Sequence, residues 1–550
     1  MNKSCQNCTQ EFEVDSIDQV FYERMKVGAP TFCPTCRMQR RLATRNDRFL
    51  YKTKSALSSD SIITMYNPSH GFTVYEHKEW WSDDWDPLKY GRNFDFNKPF
   101  FEQFAQLQKV VPRFNIFNSQ SENSDYVNYV THSKNCYLTY GSWFIEDCMY
   151  CHTMNECKNC LDCIFVDKSE LCYESVDCGE DFRAFFCQNC QNVSDCYFCF
   201  DCRGCRNCIG CYNLKNQEYN ILNKKVSKEE FEKAKAKFGS CNSLQELKKY
   251  FEETIKKEAV HRDTIRENNH NATGDLLFNC KNAKHCFSTY RSEDIAYSAR
   301  CFDQKDSYDF DAGGKGELLY ENMSNDFSFN SISCTTSEYM INAHYCDLCF
   351  HCEDCFGCVG LRHKKYCIFN KQYSEEEYKE LSAKIIEHMK KPSSGGQACE
   401  WGEFFPIKYS PFAYNETFAQ EHYPLTKEEA LSKDYKWQED EDTTPQPQTY
   451  EIPDDIKAVP DQILNEVLVC ESCNKNYKIL DHELKFYRKE NLAIPHICHN
   501  CRYSERFLKR PPRHLWDRTC SHCEKPIQTS YSPDKNFKIY CEECYLKEVY

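Results

Sequence analysis

The middle of the chain carries cysteine, aromatic and polar positions that recur with a step of about twelve residues. The first column of this pattern is Cys136, Cys148, Cys160, Cys172, Ala184, Cys196 and Cys208. A second column is Cys151, Cys163, Ser175, Cys187, Cys199 and Cys211. Aromatic or apolar residues follow the first column, and Asn or Asp often precedes it. A fixed short period with stacked columns is typical of a narrow β-solenoid of short strands, with Asn and Asp at its corners.

The repeat occurs twice. The closely spaced cysteines Cys199, Cys202, Cys205, Cys208 and Cys211 recur as Cys346, Cys349, Cys352, Cys355 and Cys358. Each copy leads into a helical segment that begins with a capping box, in which a Ser is followed three residues later by a Glu. The first copy is followed by two such boxes, Ser227/Glu230 and Ser243/Glu246, and the second copy by Ser374/Glu377. We therefore predict helices near 227–239, 243–268 and 374–391.

Cysteine pairs with the spacing C-x2-C mark both ends of the chain. Two such pairs close a tetrahedral thiolate site around zinc, and a site with four cysteines leaves no open position for catalysis. The expected ligands are Cys5, Cys8, Cys33, Cys36, Cys470, Cys473, Cys498, Cys501, Cys520, Cys523, Cys541 and Cys544. This spacing predicts about three structural zinc ions.

The two ends are copies of one tandem unit, residues 1–85 and 466–550. Cys470 lies 465 positions after Cys5, and the same offset carries Phe21 onto Phe486. In the second half of the N-terminal copy, Ser55, Ser58, Glu76 and Glu79 take the places of Cys520, Cys523, Cys541 and Cys544. We expect a hairpin kept by packing there, with Glu76 and Glu79 as ligands of some ion as the alternative.

The terminal motifs resemble a known family. The run CQNCTQEF…VFYERM…FCPTCRMQRR is similar to the probable zinc-ribbon domain family, and CESCNKNY…KFYRKE…HICHNCRYSERF resembles a second member. The arrangement of the whole chain is similar to hypothetical proteins of candidate-phylum bacteria that carry several zinc ribbons. The resemblance covers the ends and implies zinc, but it implies no activity.

A basic segment follows the first ribbon at each end. Its arginines are Arg37, Arg41, Arg45 and Arg48, with the counterparts Arg502, Arg506, Arg510 and Arg513. Their spacing places them along one face of a helix, which Pro511 and Pro512 would end by about residue 510 in the second copy. Such a row could bind phosphate groups, and a solvated face or salt bridges within this acidic protein are the alternative.

Composition limits the classes of function. The formal net charge of −15 opposes binding of nucleic acid by the molecule as a whole, so phosphate binding would need local basic patches. No apolar stretch approaches the roughly 20 residues of a membrane span, and no secretory signal is visible, so we expect no membrane association. Forty cysteines in a chain assigned to the reducing cytoplasm indicate metal sites or buried thiols rather than disulfides.

Three interpretations remain open for the central cysteines. They could form a ladder of small buried side chains, hold additional zinc, or bind an iron–sulfur cluster. The possible additional metal ligands are Cys196, Cys199, Cys202, Cys205, Cys208, Cys211, Cys346, Cys349, Cys352, Cys355 and Cys358. The first interpretation is favoured because strands in adjacent coils lie about 4.8 Å apart, so small apolar side chains would fill an interior too thin for leucine. The regular twelve-residue step argues against an iron–sulfur cluster.

The predicted fold is therefore mixed and multidomain, with small zinc ribbons at both termini flanking a duplicated, cysteine-rich β-solenoid with helical insertions. The predicted segments are a zinc ribbon with its basic segment (1–54), a degenerate ribbon (55–85), an aromatic connector (86–111), repeat copy A (112–226), a helical hairpin (227–273), repeat copy B (274–373), a helix and connector (374–437), an acidic flexible linker (438–465) and two zinc ribbons (466–518 and 519–550).

No reaction signature emerges from the sequence. The main hypothesis is a non-enzymatic binding or scaffold protein whose terminal arginine rows engage RNA or a ribonucleoprotein. A scaffold for protein partners alone is the first alternative, and metal or redox handling by the central cysteines is the second. The oligomeric state is left open.

Overall fold

The computed structural model describes residues 1–392, 399–439 and 445–549. The chain is a mixed α/β protein with curled parallel β-sheet in its middle and cysteine clusters at both ends. Its contacts divide it into two units, and each is described by itself. Unit 1 comprises Met1–Ile116 and Thr264–Glu439, and unit 2 comprises Phe117–Asp263 and Asp440–Tyr550. Each unit thus combines one end of the chain with one copy of the cysteine-rich repeat.

The curled sheet of unit 2, which we call stack A, is built from residues 117–226. Its first face contains the strands Asn118–Ser119, Asn128–Thr131, Tyr140–Trp143, His152–Asn155, Ile164–Asp167 and Val176–Gly179. Its second face contains Phe182–Phe185, Ser194–Tyr197, Arg206–Ile209, Glu218–Ile221 and the closing antiparallel strand Lys224–Lys225. Successive strands pair in parallel with a register of twelve residues, as Cys196 with Cys208. The predicted step of twelve residues is this register.

Within each coil of stack A the chain turns at every third residue. From Asn135 to Leu222 every third residue has a positive φ, including Gly141, Gly204 and Gly210. The residue after each such corner points into the stack, so a coil of twelve residues has four sides and four inward positions. Left-handed corners favour Asn, Asp and Gly, which explains the Asn and Asp that precede the cysteines. The predicted corner positions are confirmed at Asn135 and Asp147.

Unit 1 contains the second curled sheet, stack B, built from residues 264–373. After the short strand Arg266–Glu267, two long strands open the stack, His270–Phe278 and Lys281–Tyr290. One face continues through Glu293–Ala296, Lys305–Tyr308, Glu317–Tyr320 and Phe329–Ile332, and the other through Ala299–Phe302, Asp311–Gly314, Met323–Asp326 and Thr335–Glu338. The strands Glu353–Phe356, Lys365–Ile368 and Lys371–Gln372 close it. Parallel register is again twelve residues, as Glu317 with Phe329.

The helices of unit 2 lie after the repeat and in the C-terminal region. They are Lys228–Lys235, Cys241–Tyr250, Lys256–Glu258, Asp481–Glu490, His499–Leu508 and Glu542–Val549, with a π-helical turn at Phe251–Ile255 and 3₁₀ turns at Ala236–Gly239, Ile456–Ala458 and Asp461–Asn465. Two antiparallel hairpins pair Leu468–Val469 with Asn476–Tyr477 and Trp516–Thr519 with Pro526–Thr529. A parallel pair joins Val260–Arg262 to Lys538–Tyr540.

The helices of unit 1 are Ser16–Arg24, Pro34–Leu42, His77–Trp81, Phe100–Val110, Glu375–Met389, Phe418–His422 and Lys427–Ser432, with 3₁₀ turns at Pro68–His70, Pro87–Tyr90, Ile407–Tyr409 and Tyr414–Glu416. Its hairpins pair Asn2–Ser4 with Glu11–Glu13 and Tyr51–Lys54 with Ser61–Thr64. A short parallel pair joins Val74–Tyr75 to Arg113–Phe114. The hairpins of the two units occupy matching positions in the two copies of the terminal sequence.

Several predicted boundaries differ from the structure. The capping boxes at Ser227 and Ser374 are confirmed, but Ser240 rather than Ser243 caps the next helix. That helical segment ends at Glu258 instead of residue 268, because the chain then joins the strand Lys538–Tyr540. Helical structure thus covers the first part of the predicted segment, and strand pairing with a segment distant in sequence overrides the helix in the rest.

The predicted acidic linker is shorter than residues 438–465. Its residues 440–444 lie outside the described part of the chain. Further on, Ile456, Val459 and Ile463 are buried in the core of unit 2 together with residues of the C-terminal ribbon segment. Three apolar side chains at this spacing contribute enough burial to anchor the segment.

The tryptophans at the end of the predicted degenerate ribbon, just before the predicted aromatic connector, belong to the core of unit 1. Trp80 is buried and donates from Nε1 to the carbonyl of Pro112 at 2.8 Å, and Trp85 donates to the carbonyl of Trp80 at 2.7 Å. The ring of Trp81 contacts Phe350 of stack B at a centroid distance of 4.8 Å. This segment therefore packs the terminal copy against its stack.

Candidate metal centres and the arginine clamps

Three cysteine clusters have the geometry of metal sites. Within each cluster the four Sγ atoms lie within 4.8 Å of one another. Cluster 1 is Cys5, Cys8, Cys33 and Cys36; cluster 2 is Cys470, Cys473, Cys498 and Cys501; cluster 3 is Cys520, Cys523, Cys541 and Cys544. The Sγ atoms of Cys8 and Cys33 are 3.8 Å apart, and those of Cys523 and Cys541 also 3.8 Å. A tetrahedron of sulfurs about 2.3 Å from a central ion has edges of about 3.8 Å, so the clusters could each hold one metal ion.

The second cysteine pair of each cluster begins a helix. Cys33 and Cys498 are the N-caps of Pro34–Leu42 and His499–Leu508, and Cys541 directly precedes Glu542–Val549. A helix N-terminus favours negative charge and therefore the thiolate form that binds metal. The placement of ligands on a helix start thus preorganises each cluster for a cation.

Backbone amides orient the first cysteine of each cluster in the same way. The amide of Cys33 donates to Sγ of Cys5, and the amide of Cys541 donates to Sγ of Cys520, each at 3.2 Å. Burial raises the pKa of Cys520, but hydrogen bonds from backbone amides, among them that of Cys541, lower it to about 6. Amide-to-sulfur hydrogen bonds are outer interactions that fix metal ligands in place.

The fourth ribbon position holds no such cluster. Ser55 donates from its hydroxyl to the carboxylate of Glu79, and Glu76 caps the helix His77–Trp81. Burial raises the pKa of Glu79, but hydrogen bonds from Ser55 and Ser58 lower it below its usual value. The side chains that replace the cysteines thus bond to one another and to a helix start, as the packing interpretation predicted.

The central cysteines form a ladder of buried thiols. Inward thiols of both stacks donate to backbone carbonyls two residues before them, and many also to carbonyls nine residues after them. Sγ of Cys199 lies 3.6 Å from the carbonyl of Tyr197 and 3.7 Å from that of Cys208. Sγ of Cys349 makes the same contacts with Asp347 and Cys358, each at 3.5 Å. Among the described residues, the three terminal clusters are the groups with metal-site geometry, and the central cysteines join none of them.

The arginines next to cluster 1 lie in a buried ion-pair network. Nε of Arg37 and Nη1 of Arg41 donate to the two carboxylate oxygens of Asp309, each at 2.9 Å. The side chains of Arg37, Arg41 and Asp309 are at most 1% exposed. Arg41 also donates to the carbonyl of Tyr297, and the guanidinium of Arg37 lies 5.0 Å from the centre of its ring. We call Arg37, Arg41 and Asp309 clamp 1.

Unit 2 repeats this arrangement as clamp 2, formed by Arg502, Arg506 and Asp162. Nε of Arg502 and Nη2 of Arg506 lie 2.8 Å from the two carboxylate oxygens of Asp162. Asp309 lies 147 positions after Asp162, the same offset that separates Cys346 from Cys199. Both aspartates occupy left-handed corners of their stacks. The two clamps are therefore equivalent positions of a duplicated structure.

The expectation of an accessible arginine row is wrong for the clamp arginines, whose guanidinium groups are buried against carboxylates. The expected continuous helix is also wrong, because the helix of the first copy ends at Leu42, before Arg45 and Arg48. Arg45 pairs with Asp47 at 2.6 Å, and Arg48 pairs with Glu421 at 3.1 Å.

In the second copy the helix ends at Leu508, as the two prolines predicted. Arg510 pairs with Asp177 at 2.8 Å and lies over the ring of Phe165, and Arg513 is buried. The salt-bridge interpretation, which the sequence left as the alternative, accounts for the arrangement of Arg502, Arg506 and Arg510.

The clamp aspartates are functional residues that no local sequence pattern marks. The two aspartates are related by the offset of 147 positions between the two repeats. A single aspartate in each repeat does not indicate a buried ion pair, however, unless the positions of its arginine partners in the fold are known. The three-residue step was also visible in CYFCFDCRGCRNCIGC, where every third residue is cysteine.

No family model matches this sequence, and no curated protein matches it. Across the described residues, no helix combines the length and the apolar character needed to cross a membrane.

Proposed function

We propose that this chain is a zinc-stabilised scaffold protein in which two β-solenoids are each fixed by a zinc-ribbon unit. The single observation that carries the proposal is the pair of equivalent arginine clamps. In each unit, a helix that starts at a metal cluster inserts two arginines into a corner of the stack. The terminal ribbons therefore have a structural role, which is to stabilise the stacks. The resemblance of the two ends to zinc ribbons agrees with this role.

Zinc is the metal that the ligand set favours. Four thiolates in a tetrahedron suit a soft or borderline ion, and a closed shell suits a structural ion. Bound zinc would hold the helix start at Cys33 and Cys36 in cluster 1, one turn before Arg37 and Arg41 of clamp 1. Metal binding then contributes free energy to the docking of that helix.

A protein partner is favoured over RNA. Stack B exposes four large apolar side chains in two consecutive coils, Phe327, Phe329, Tyr339 and Ile341, each 41–45% exposed. An exposed apolar patch of this kind is typical of a protein-binding surface. The ring of Tyr339 stacks between Phe327 at 4.7 Å and His351 at 4.4 Å, and Lys315 lies 5.1 Å from the centre of the Phe327 ring. Both faces of each ring are therefore covered and are not open to nucleobases, which bind by stacking.

The first experiment is elemental analysis of the full chain purified with reductant and without added metal. Three zinc ions per chain support the proposal. A fourth ion, or any iron, would instead favour metal or redox handling by the central cysteines. A chain that folds without metal would contradict the proposal.

The second experiment separates the two classes of partner. We expect no salt-dependent binding of a mixed-sequence RNA in fluorescence anisotropy, because the clamp arginines are occupied. Partners captured by the full chain should survive nuclease treatment and should be lost from the double variant Phe329→Asp/Ile341→Asp. RNA binding with a steep salt dependence would replace this proposal with the ribonucleoprotein hypothesis.

A further inference from the structure

Unit 2 contains a cavity of about 180 Å³ between the helix Asp481–Glu490 and residues 147–171 of stack A. Its apolar wall is formed by Met149, Leu161, Leu171 and Phe486. Cavities of about 150 Å³ lined by apolar side chains are large enough to bind benzene. The space is therefore that of a small ring rather than of one water molecule.

The same place in unit 1 is filled. Leu161 corresponds to Tyr308, and Phe486 corresponds to Phe21, by the offsets that relate the two copies. The Tyr308 ring stacks on Phe21 with centroids 3.9 Å apart and planes 11° apart. Leu161 has no ring to place there, which leaves the volume in unit 2 open.

The charge at the rim differs in the same way. In unit 1, Arg24 pairs with Asp306 at 3.0 Å. Their counterparts in unit 2 are Lys489 and Asn159, which both line the cavity. Among the described residues, no carboxylate is within ion-pair distance of Lys489. Unit 2 therefore retains the cation of this pair and lacks the anion.

We propose that the cavity of unit 2 binds a small aromatic carboxylate, which supplies the ring and the carboxylate that unit 1 provides from Tyr308 and Asp306. The ring lies on Phe486 between Leu161 and Leu171, and the carboxylate meets the ammonium group of Lys489 and the amide of Asn159.

The acidic and basic side chains that line the cavity, besides His482, are two lysines, Lys485 and Lys489, and one carboxylate, Asp147. The carboxylate of Asp147 accepts a hydrogen bond from the amide of Asn135 at 3.0 Å. Lys485 pairs with Asp481 at 2.6 Å, and His482 stands on the same helix. The helix that covers the cavity thus contributes cations, and this inference does not depend on the proposed scaffold function.

The probe is 4-hydroxyphenylacetate, with its uncharged amide analogue as the control for charge. Binding to the full chain is measured by saturation-transfer NMR and by calorimetry. We expect one site with a dissociation constant of about 1 mM or tighter. A ligand with so few atoms has a limited binding free energy, so high affinity is not expected. The amide should bind about tenfold more weakly, and Lys489→Gln should abolish that difference.

The chain provides its own matched variants. Leu161→Tyr/Asn159→Asp copies the residues of unit 1 into unit 2 and should reduce probe binding at least tenfold. Tyr308→Leu/Asp306→Asn makes the opposite exchange and should create a second site. Thermal unfolding of each variant checks its fold. Absence of probe binding to the wild-type chain at about 10 mM, or equal binding to the filled variant and the wild type, would overturn the proposal.

Discussion

Replacing Asp309 by Asn tests the clamps directly. The carboxylate of Asp309 accepts hydrogen bonds from Arg37 and Arg41, and all three side chains are buried. Asn keeps the volume and tolerates the left-handed corner, so the substitution changes charge and little else. It removes the anion that two buried guanidinium groups face, and it leaves one acceptor oxygen for two donors.

The expected cost is about 3 kcal/mol. Removing one partner of a buried ion pair costs roughly 3–5 kcal/mol, and the remaining amide oxygen of Asn places this variant near the lower limit. At about 1.4 kcal/mol for each factor of ten, opening of the helix Pro34–Leu42 should increase about 100-fold.

Hydrogen exchange resolved by segment is the assay, because a chain with two units need not unfold in one step. Faster exchange should be confined to Pro34–Leu42 and its contacts, with His499–Leu508 of unit 2 unchanged as an internal reference. Asp162→Asn should instead increase hydrogen exchange in His499–Leu508 and leave the exchange of Pro34–Leu42 unchanged.

The control for this substitution is Asp303→Asn, also at a left-handed corner of stack B. Asp303 pairs with Arg291 at 2.8 Å on the surface, where an ion pair contributes at most about 1 kcal/mol. If Asp309→Asn changed the exchange of Pro34–Leu42 no more than Asp303→Asn does, the clamp would not hold the helix and the reasoning would be refuted.

Three further predictions concern the metal sites, the thiol ladder and a buried histidine. Replacing cluster 3 by its metal-free counterparts, with Ser at 520 and 523 and Glu at 541 and 544, should lower the zinc content from three ions per chain to two in elemental analysis. Cys199→Ser should cost at most about 1 kcal/mol in denaturant unfolding, because serine already occupies inward positions, whereas Cys199→Leu should cost about 2 kcal/mol or more by overpacking. Burial lowers the pKa of His261 to about 4, so the unfolded chain binds a proton that the folded chain rejects, and stability falls as pH drops from about 6.5 to 4. His261→Phe should flatten this dependence by about 1.4 kcal/mol for each pH unit, measured by unfolding at a series of pH values.

The sequence predicted the features that depend on local spacing. The cysteine pairs predicted the three clusters, because two cysteines separated by two residues can bind one ion together. The twelve-residue step gave the register of the parallel strands, and Ser227 with Glu230 gave a helix start. Each of these depends on residues close in sequence or on a strict period.

The features that the sequence did not predict depend on contacts between segments distant in sequence. From the sequence alone, a row of arginines predicts a basic surface. In the structure, Arg37 and Arg41 are buried against Asp309, which lies some 270 positions away in the sequence. The helix expected to reach residue 268 ends at Glu258 because Val260–Arg262 pairs with Lys538–Tyr540. In both cases the tertiary partner changed the role of a pattern that was read correctly.

The two copies of the second hairpin show how packing can take the place of a metal. In the N-terminal copy, Tyr66 is buried, stacks on Phe412 at 5.3 Å and lies 4.9 Å from the guanidinium of Arg113. In the C-terminal copy its counterpart Tyr531 is only partly buried, and Cys523 of cluster 3 is exposed. A small hairpin with few buried side chains needs another source of stability, and a metal ion held by cluster 3 would supply it. The copy that lacks the cysteines buries this tyrosine more deeply, so packing there provides stability that the other copy would draw from a metal ion.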